Sequence, residues 1–239
     1  MNHATAEQNR SPWIEPTTAY WQAFEPAGAW RDAPWRFGYP ARLPDGRVLR
    51  LPIRRLPGDG AGSGTLAVAS LIANQASLEV VDGLAAFMAE LARPLGADAV
   101  IGLPTLGQVF APGIAARLGH SRVVPLGYSR KFWYEERLSV ALRSITTPDG
   151  GKRAFLDPNQ LPLVRGRRVV VVDDAASSGA TLAGVLPFLE SLGAAIAGVV
   201  VAMLQGERWR EALGDRAGLV RGVYACPRLV LREDGWHPE

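Results

Sequence analysis

Residues 169–182 read VVVVDDAASSGATL. The four valines predict a buried parallel strand, and Asp173 and Asp174 follow at its carboxyl end. The small residues and hydroxyls that come next predict a tight turn that opens a helix. Ligands of open α/β sheets bind beyond the carboxyl ends of the strands. This stretch therefore predicts both a fold class and the place of a site.

The turn after the two acids has the composition of an anion-binding loop. Its hydroxyls can donate hydrogen bonds, its small side chains let an anion approach the backbone N–H groups, and the helix dipole favours negative charge there. The residues concerned are Ala176, Ser177, Ser178, Gly179, Ala180 and Thr181. The adjacent carboxylates could accept hydrogen bonds from sugar hydroxyls or hold Mg²⁺ through water.

The surrounding chain alternates helices with apolar strands. From Ser77 apolar residues recur at intervals of three and four, which predicts a helix that Gly96 ends. Strands are predicted at 99–103, 122–126 and 196–203, with helices over 110–118 and from 182 to 192. This order predicts an α/β fold with a central parallel sheet flanked by helices.

The stretch 169–182 resembles the signature of the type I phosphoribosyltransferases, which is an aliphatic strand, two acids, two small residues and a Ser/Thr-Gly loop ending in Thr. The resemblance runs from about residue 77 to 214 and is closest to the adenine and xanthine enzymes. It implies the type I phosphoribosyltransferase fold, with 5-phospho-α-ribosyl 1-pyrophosphate (PRPP) as donor, a small base as acceptor, foremost a purine, and Mg²⁺ as cofactor. It also implies that Asp173 and Asp174 are catalytic and hold the metal through water, and that 176–181 binds PRPP.

Three further segments lie where the resemblance implies substrate contacts. Thr105, Leu106 and Gly107 correspond to a pyrophosphate-binding loop, although relatives often have a basic or small residue in place of Leu106. Arg130 and Lys131 resemble the Arg-Lys pair of purine enzymes, which implies that both bind PRPP and that Lys131 is catalytic. Trp209 lies where relatives provide part of the base pocket.

The resemblance does not cover residues 1–65, which we interpret as an aromatic arm, a hairpin at 39–53 around Pro44-Asp45-Gly46, and a glycine-rich connector. The arm is expected to pack on the core or on a second copy in a homodimer. Residues 66–239 form the predicted phosphoribosyltransferase domain. Within it, residues 127–167 show weak periodicity and many charges, which predicts a flexible lid.

The composition excludes a disordered, a collagen-like or a coiled-coil protein. The 239 residues are 48% hydrophobic and 21% charged, which is ordinary for a globular chain. A formal net charge of +3 gives no reason to expect a nucleic-acid partner. The single cysteine, Cys226, favours a reducing compartment. The polar start and the absence of an apolar run of about 20 residues predict a cytoplasmic protein without a membrane span.

Two other functions stay open at this point. Residues 175–179 also fit a degenerate nucleophile elbow with Ser177 as the attacking serine, but histidines for a triad are scarce. A PRPP-binding regulator without turnover is the second alternative. Against it, residues 1–65 lack the two consecutive amphipathic helices of a winged-helix domain.

Overall fold

The computed structural model describes residues 18–56, 65–142 and 152–239. The connector at 57–64 and the first aromatic residue of the arm, Trp13, lie outside these ranges. The helices are α1 (Leu78–Ala92), α2 (Gly107–Arg117), α3 (Ala180–Ser191) and α4 (Arg208–Leu213). The strands are β1 (Tyr39–Arg42), β2 (Val48–Leu51), β3 (Ile53–Arg55), β4 (Leu66–Ala69), β5 (Ala99–Gly102), β6 (Val124–Pro125), β7 (Ser139–Leu142), β8 (Lys152–Phe155), β9 (Arg168–Ala176), β10 (Ala195–Gln205), β11 (Val220–Cys226), β12 (Arg228–Arg232) and β13 (Gly235–Pro238).

The central sheet has five parallel strands in the order β11-β10-β9-β5-β6. Strand β9 lies in the middle and is covered on both faces, because side chains alternate along a strand. Val170 and Val172 pack into one core with α1 and α2, whereas Val169 and Val171 pack into a second core with α3. The predicted α/β fold with a parallel sheet flanked by helices is confirmed.

The helix predicted from Ser77 is α1. Ser77 caps it by accepting a hydrogen bond from the Val80 N–H at 3.2 Å, and the chain leaves a following 3₁₀ turn at Gly96, which has φ +56°. Most other bounds agree with prediction to within about two residues, and the larger differences are these. Helix α2 starts at Gly107 rather than 110, and the strand predicted over 122–126 shrinks to the two residues of β6 at the sheet edge.

The described part of the arm, from residue 18 onward, and the hairpin pack on the core. Strands β1 and β2 form the predicted antiparallel hairpin, and Tyr20, Trp21 and Trp35 are buried. A second, antiparallel sheet in the order β13-β12-β4-β3 joins the two ends of the chain. Its pair Ile53 with Ala69 crosses the predicted boundary at residue 65, and its pair Arg228 with Val68 joins β4 to β12.

The stretch predicted as a flexible lid, 127–167, contains regular structure in its described residues, and residues 143–151 lie outside the described ranges. Strands β7 and β8 pair antiparallel, and a 3₁₀ helix follows over Pro158–Leu163. Leu138, Leu142 and Leu156 are buried against α3 and its neighbours. Charged residues interrupt the short apolar runs of these strands, so the hydrophobic periodicity of the sequence does not indicate this hairpin.

No helix within the described residues is long and apolar enough to cross a bilayer.

Candidate active site at the carboxyl edge of the sheet

A cavity of about 340 Å³ opens at the carboxyl ends of β5 and β9. Its size is within the range of small-molecule sites. The lining comes from the loop after β5, from Tyr128 and the start of β8, from the end of β9, and from the turn into α3. The residues are Pro104, Thr105, Leu106, Tyr128, Lys152, Asp173, Asp174, Ala175, Ala176, Ser177, Ser178, Gly179, Ala180, Thr181 and Leu182.

Asp173 and Asp174 both line the cavity, and β9 carries them because it continues to Ala176 rather than ending at Val172. The backbone N–H of Asp174 donates to Oδ1 of Asp173 at 2.9 Å. Burial raises the pKa of Asp173, and the neighbouring charge of Asp174 raises it further. Burial also raises the pKa of Asp174. Two desolvated carboxylates side by side favour a bound cation or a cluster of donor hydroxyls.

The loop after β5 approaches the two acids from the side. Thr105 and Leu106 line the cavity, and the peptide bond between Pro104 and Thr105 is cis. Gly107 lies behind them, buried, and its backbone N–H donates to the Asp173 carboxylate. A Cβ on Gly107 would be 2.3 Å from the carbonyl oxygen of Val172, so only glycine fits here. Gly107, which was predicted to contact PRPP, thus lies outside the lining of the cavity and contacts Asp173, which belongs to that lining.

The turn at 176–181 has the geometry of an anion site. Gly179 has φ +76° and precedes α3, a helix of 12 residues. The hydroxyl of Ser178 accepts a hydrogen bond from the N–H of Ala180 at 3.3 Å. Backbone N–H groups at the start of a helix bind anions, and the small side chains leave this backbone open to the cavity.

Lys152 and Tyr128 were missed by the sequence analysis. Lys152 is the cation among the described lining residues, and its Nζ lies 5.4 Å from the centroid of the Tyr128 ring. The Tyr128 hydroxyl donates to the Pro104 carbonyl at 2.9 Å, and burial together with the charges of the two acids raises its pKa. The charged run at 152–153 was visible in the sequence, but no local signal tied it to this cavity.

The predicted pair Arg130 and Lys131 lies apart from this lining. Both side chains are exposed; Arg130 pairs with Glu136 at 3.5 Å, and Lys131 is 3.5 Å from the Ser129 hydroxyl. In this conformation neither belongs to the described lining of the cavity.

Trp209 has a packing role. Its side chain is 1% exposed, lies in the core that contains α3, and donates from Nε1 to the Gly206 carbonyl at 3.0 Å. The indole is buried outside the described lining of the cavity, and its contact with a base stays a prediction. The backbone of Trp209, rather than its indole, supports the loop 176–181 from behind, because Gly179 lies against it.

The site fits Mg²⁺ only with help from a ligand. No group of three or more potential metal-ligating side chains occurs in the described ranges, so the protein alone does not complete a coordination shell there. Asp173 and Asp174 are the carboxylates available at the cavity. Mg²⁺ retains several waters and commonly binds through one or two carboxylates together with substrate phosphates, which matches this set.

Comparison with known sequences gives a consistent set of relatives. Residues 67–217 match the phosphoribosyl transferase domain family. An adenine phosphoribosyltransferase of Parafrankia sp. is 29% identical over 136 residues, which are 57% of this chain and 68% of the relative. An adenine phosphoribosyltransferase of Mycobacterium marinum is 31% identical over 140 residues, 58% of this chain and 70% of the relative. The chain thus spans about two thirds of the length of these relatives.

Solved structures share the fold. Adenine phosphoribosyltransferase from Thermoanaerobacter pseudethanolicus superposes with a TM-score of 0.57 at 19% identity, covering 72% of this chain and 95% of that one. The enzyme from Giardia lamblia, complexed with 9-deazaadenine, gives a TM-score of 0.55 at 18% identity, covering 72% and 93%. At these identities the likeness concerns architecture.

Proposed function

The chain belongs to the phosphoribosyl transferase domain family, and from that premise we propose that it transfers 5-phosphoribosyl from PRPP to a purine base and releases pyrophosphate. The observation that carries the proposal is the cavity in which the buried carboxylate of Asp173 and the partly buried one of Asp174 lie beside an anion-binding turn. A sugar phosphate needs both: the turn for its phosphate and the carboxylates for its ring hydroxyls. Relatives named adenine phosphoribosyltransferase support adenine as the first acceptor to test.

The reaction replaces one bond at the anomeric carbon by another. The bond from C1 to the pyrophosphate oxygen breaks, and its electron pair leaves with pyrophosphate. A ring nitrogen of the base forms the new bond to C1, and its proton passes to the departing pyrophosphate or to water. Positive charge develops on the sugar ring in between, so a negative environment lowers the barrier.

The described residues divide this work. The N–H groups of 177–181 would bind the 5-phosphate, which fixes one end of the donor. Asp173 and Asp174 would accept hydrogen bonds from the ribose hydroxyls and face the ring where charge develops. Mg²⁺, when bound through these carboxylates and water, would neutralise pyrophosphate as it departs. Lys152 would add a positive charge at the same cavity.

The loop of Thr105 and Leu106 would bind pyrophosphate through its backbone. Arg130 and Lys131 would reach the leaving group only if the exposed segment 129–137 moved toward the cavity, and we include that closure in the proposal. The homodimer, too, stays a prediction, which light scattering would test.

Assays of turnover distinguish this enzyme from the two alternatives. Wild type should release pyrophosphate from PRPP and Mg²⁺ when adenine, hypoxanthine or guanine is supplied, and should release little without a base. A protein that binds PRPP in calorimetry but never releases pyrophosphate would be the regulator instead. Labelling of Ser177 by a fluorophosphonate would support the hydrolase, although its hydroxyl donates to Gln205 and no histidine is among the described lining residues.

A further inference from the structure

Gln205, at the end of β10, is buried beside the anion loop although nothing in the proposed reaction uses it. Gln205 is 8% exposed. Among the described residues, Gln205 and Asp173 are the buried polar or charged ones. An amide withdrawn from water is unfavourable unless its donor and acceptor both find partners. The partners of Gln205 therefore indicate why it is there.

Both halves of the amide are bonded. Its Oε1 accepts a hydrogen bond from the Ser177 hydroxyl at 3.0 Å, and its Nε2 donates to the carbonyl of Ala69. Because a carbonyl cannot donate, the bond to Ala69 fixes which end of the amide faces Ser177. Ala69 is the last residue of β4 in the second sheet. Gln205 thus connects that sheet to the first hydroxyl of the loop.

The residues after Gln205 support the loop at a second point. A Cβ on Gly179 would be 3.0 Å from both the Cα and the carbonyl oxygen of Trp209, so the loop lies directly on this backbone. The Trp209 indole in turn bonds to the Gly206 carbonyl at 3.0 Å. Segment 205–209 is therefore a support beneath 177–179, with one polar contact and one contact of close packing.

We propose that Gln205 is a positioning residue that holds Ser177, and through it the backbone of 177–179, in the conformation that binds the phosphate of the substrate. This inference rests on the proposed function for the identity of that substrate. Its physical basis is preorganisation: N–H groups that are already aligned lose less conformational entropy when an anion arrives. The link to Ala69 makes the second sheet part of this support.

The test measures binding of ribose 5-phosphate by calorimetry, which requires no turnover. Gln205→Leu keeps the approximate size of the side chain and removes both hydrogen bonds, so we expect the dissociation constant to rise roughly three- to tenfold. Ser177→Ala should weaken binding to a similar extent. The double variant should be no weaker than the worse single one, since both changes remove one shared interaction.

Gln205→Glu gives an electrostatic contrast to Gln205→Leu. It keeps an acceptor for Ser177, but it loses the donor to Ala69 and adds negative charge under the anion loop. We expect it to weaken ribose 5-phosphate binding more than Gln205→Leu does, and less so at high salt. Gln160→Leu, at a partly buried glutamine that lines a different cavity, is the matched control and should bind like wild type.

The possible results separate the two proposals. If Gln205→Leu lowers the unfolding temperature but binds ribose 5-phosphate like wild type, or if the double variant is additive, the positioning role is wrong. Should Gln205→Leu fail to fold, Ser177→Ala and Gln205→Glu decide the same question. Wild type that binds ribose 5-phosphate but never releases pyrophosphate would overturn the transfer activity and leave the role of Gln205 standing. Wild type that does not bind it would overturn both.

Discussion

Replacing Gly107 by alanine tests the packing that holds the two carboxylates in place. A Cβ added there would be 2.3 Å from the Val172 carbonyl oxygen and 2.8 Å from the Cα of Asp173. Both are backbone atoms of the central strand, so neither can rotate away. To reach even a 3.0 Å contact, α2 and β9 must separate by about 0.7 Å along that direction.

Such a displacement affects two hydrogen bonds as well as packing. The Val172 carbonyl also accepts from the Leu103 N–H at 2.9 Å, and the Gly107 N–H donates to Asp173. Overpacking of this kind costs about 1 to 3 kcal/mol. For a chain of this length, each kcal/mol lowers the unfolding temperature by roughly 2 to 4 °C. Displacement of a reacting group by about 1 Å can lower turnover by about a hundredfold.

The assay pairs thermal unfolding with pyrophosphate release. Gly107→Ala should unfold several degrees lower and lose most of its turnover. Gly218→Ala is the matched control because a Cβ there meets no atom within 4 Å, and it should resemble wild type in both measurements. A Gly107→Ala variant with the stability and the turnover of wild type would refute the packing argument.

Four further outcomes are expected. Asp173→Asn and Asp174→Asn should each lower turnover by about a hundredfold while weakening PRPP binding by less than tenfold, since their charge acts mainly in the transition state; calorimetry and steady-state kinetics measure both. Because the folded state raises both pKa values, the two acids hold protons more tightly when folded and make stability fall as pH rises from the unfolded pKa through the raised one. The ligand-free Asn variants should therefore unfold at a higher temperature than wild type at pH 7, and a lower one would contradict the buried pair. Lys152→Met should raise the Michaelis constant for PRPP about tenfold, with Lys131→Met as comparison, and an unchanged constant would remove Lys152 from the site. Trypsin should cut the exposed segment 129–137 at Arg137, and PRPP with Mg²⁺ should protect it; equal cleavage with and without ligand would argue against closure.

The parts of the fold predicted from sequence are those in which local pattern and tertiary environment agree. The valines of 169–172 and the apolar period of α1 determine their elements because each buries a whole face within one continuous stretch. The second sheet was missed, since β4 pairs both with β3 and with β12, which lies near the other end of the chain. No local pattern contains such a pairing.

The same difference separates the residues of the candidate site. The two acids and the loop 176–181 are contiguous in the sequence, so a single motif indicates them. Lys152 lies in β8 and Tyr128 follows β6, and the tertiary fold brings both to the cavity. It likewise brings Gln205, at the end of β10, to Ser177. Trp209 was predicted to contact a base from its position in the chain, whereas the structure shows a buried side chain and a backbone that lies against Gly179. Contacts between side chains of different elements can be identified only from the structure.

The most direct test of the proposed function is to supply PRPP, Mg²⁺ and adenine to the purified protein and to measure both products by chromatography. The account predicts adenosine monophosphate and pyrophosphate in equal amounts, with hypoxanthine and guanine assayed in parallel as competing acceptors. Asp174→Asn should form both products about a hundredfold more slowly. If PRPP binds at the cavity and no nucleotide forms with any of the three bases, phosphoribosyl transfer is contradicted.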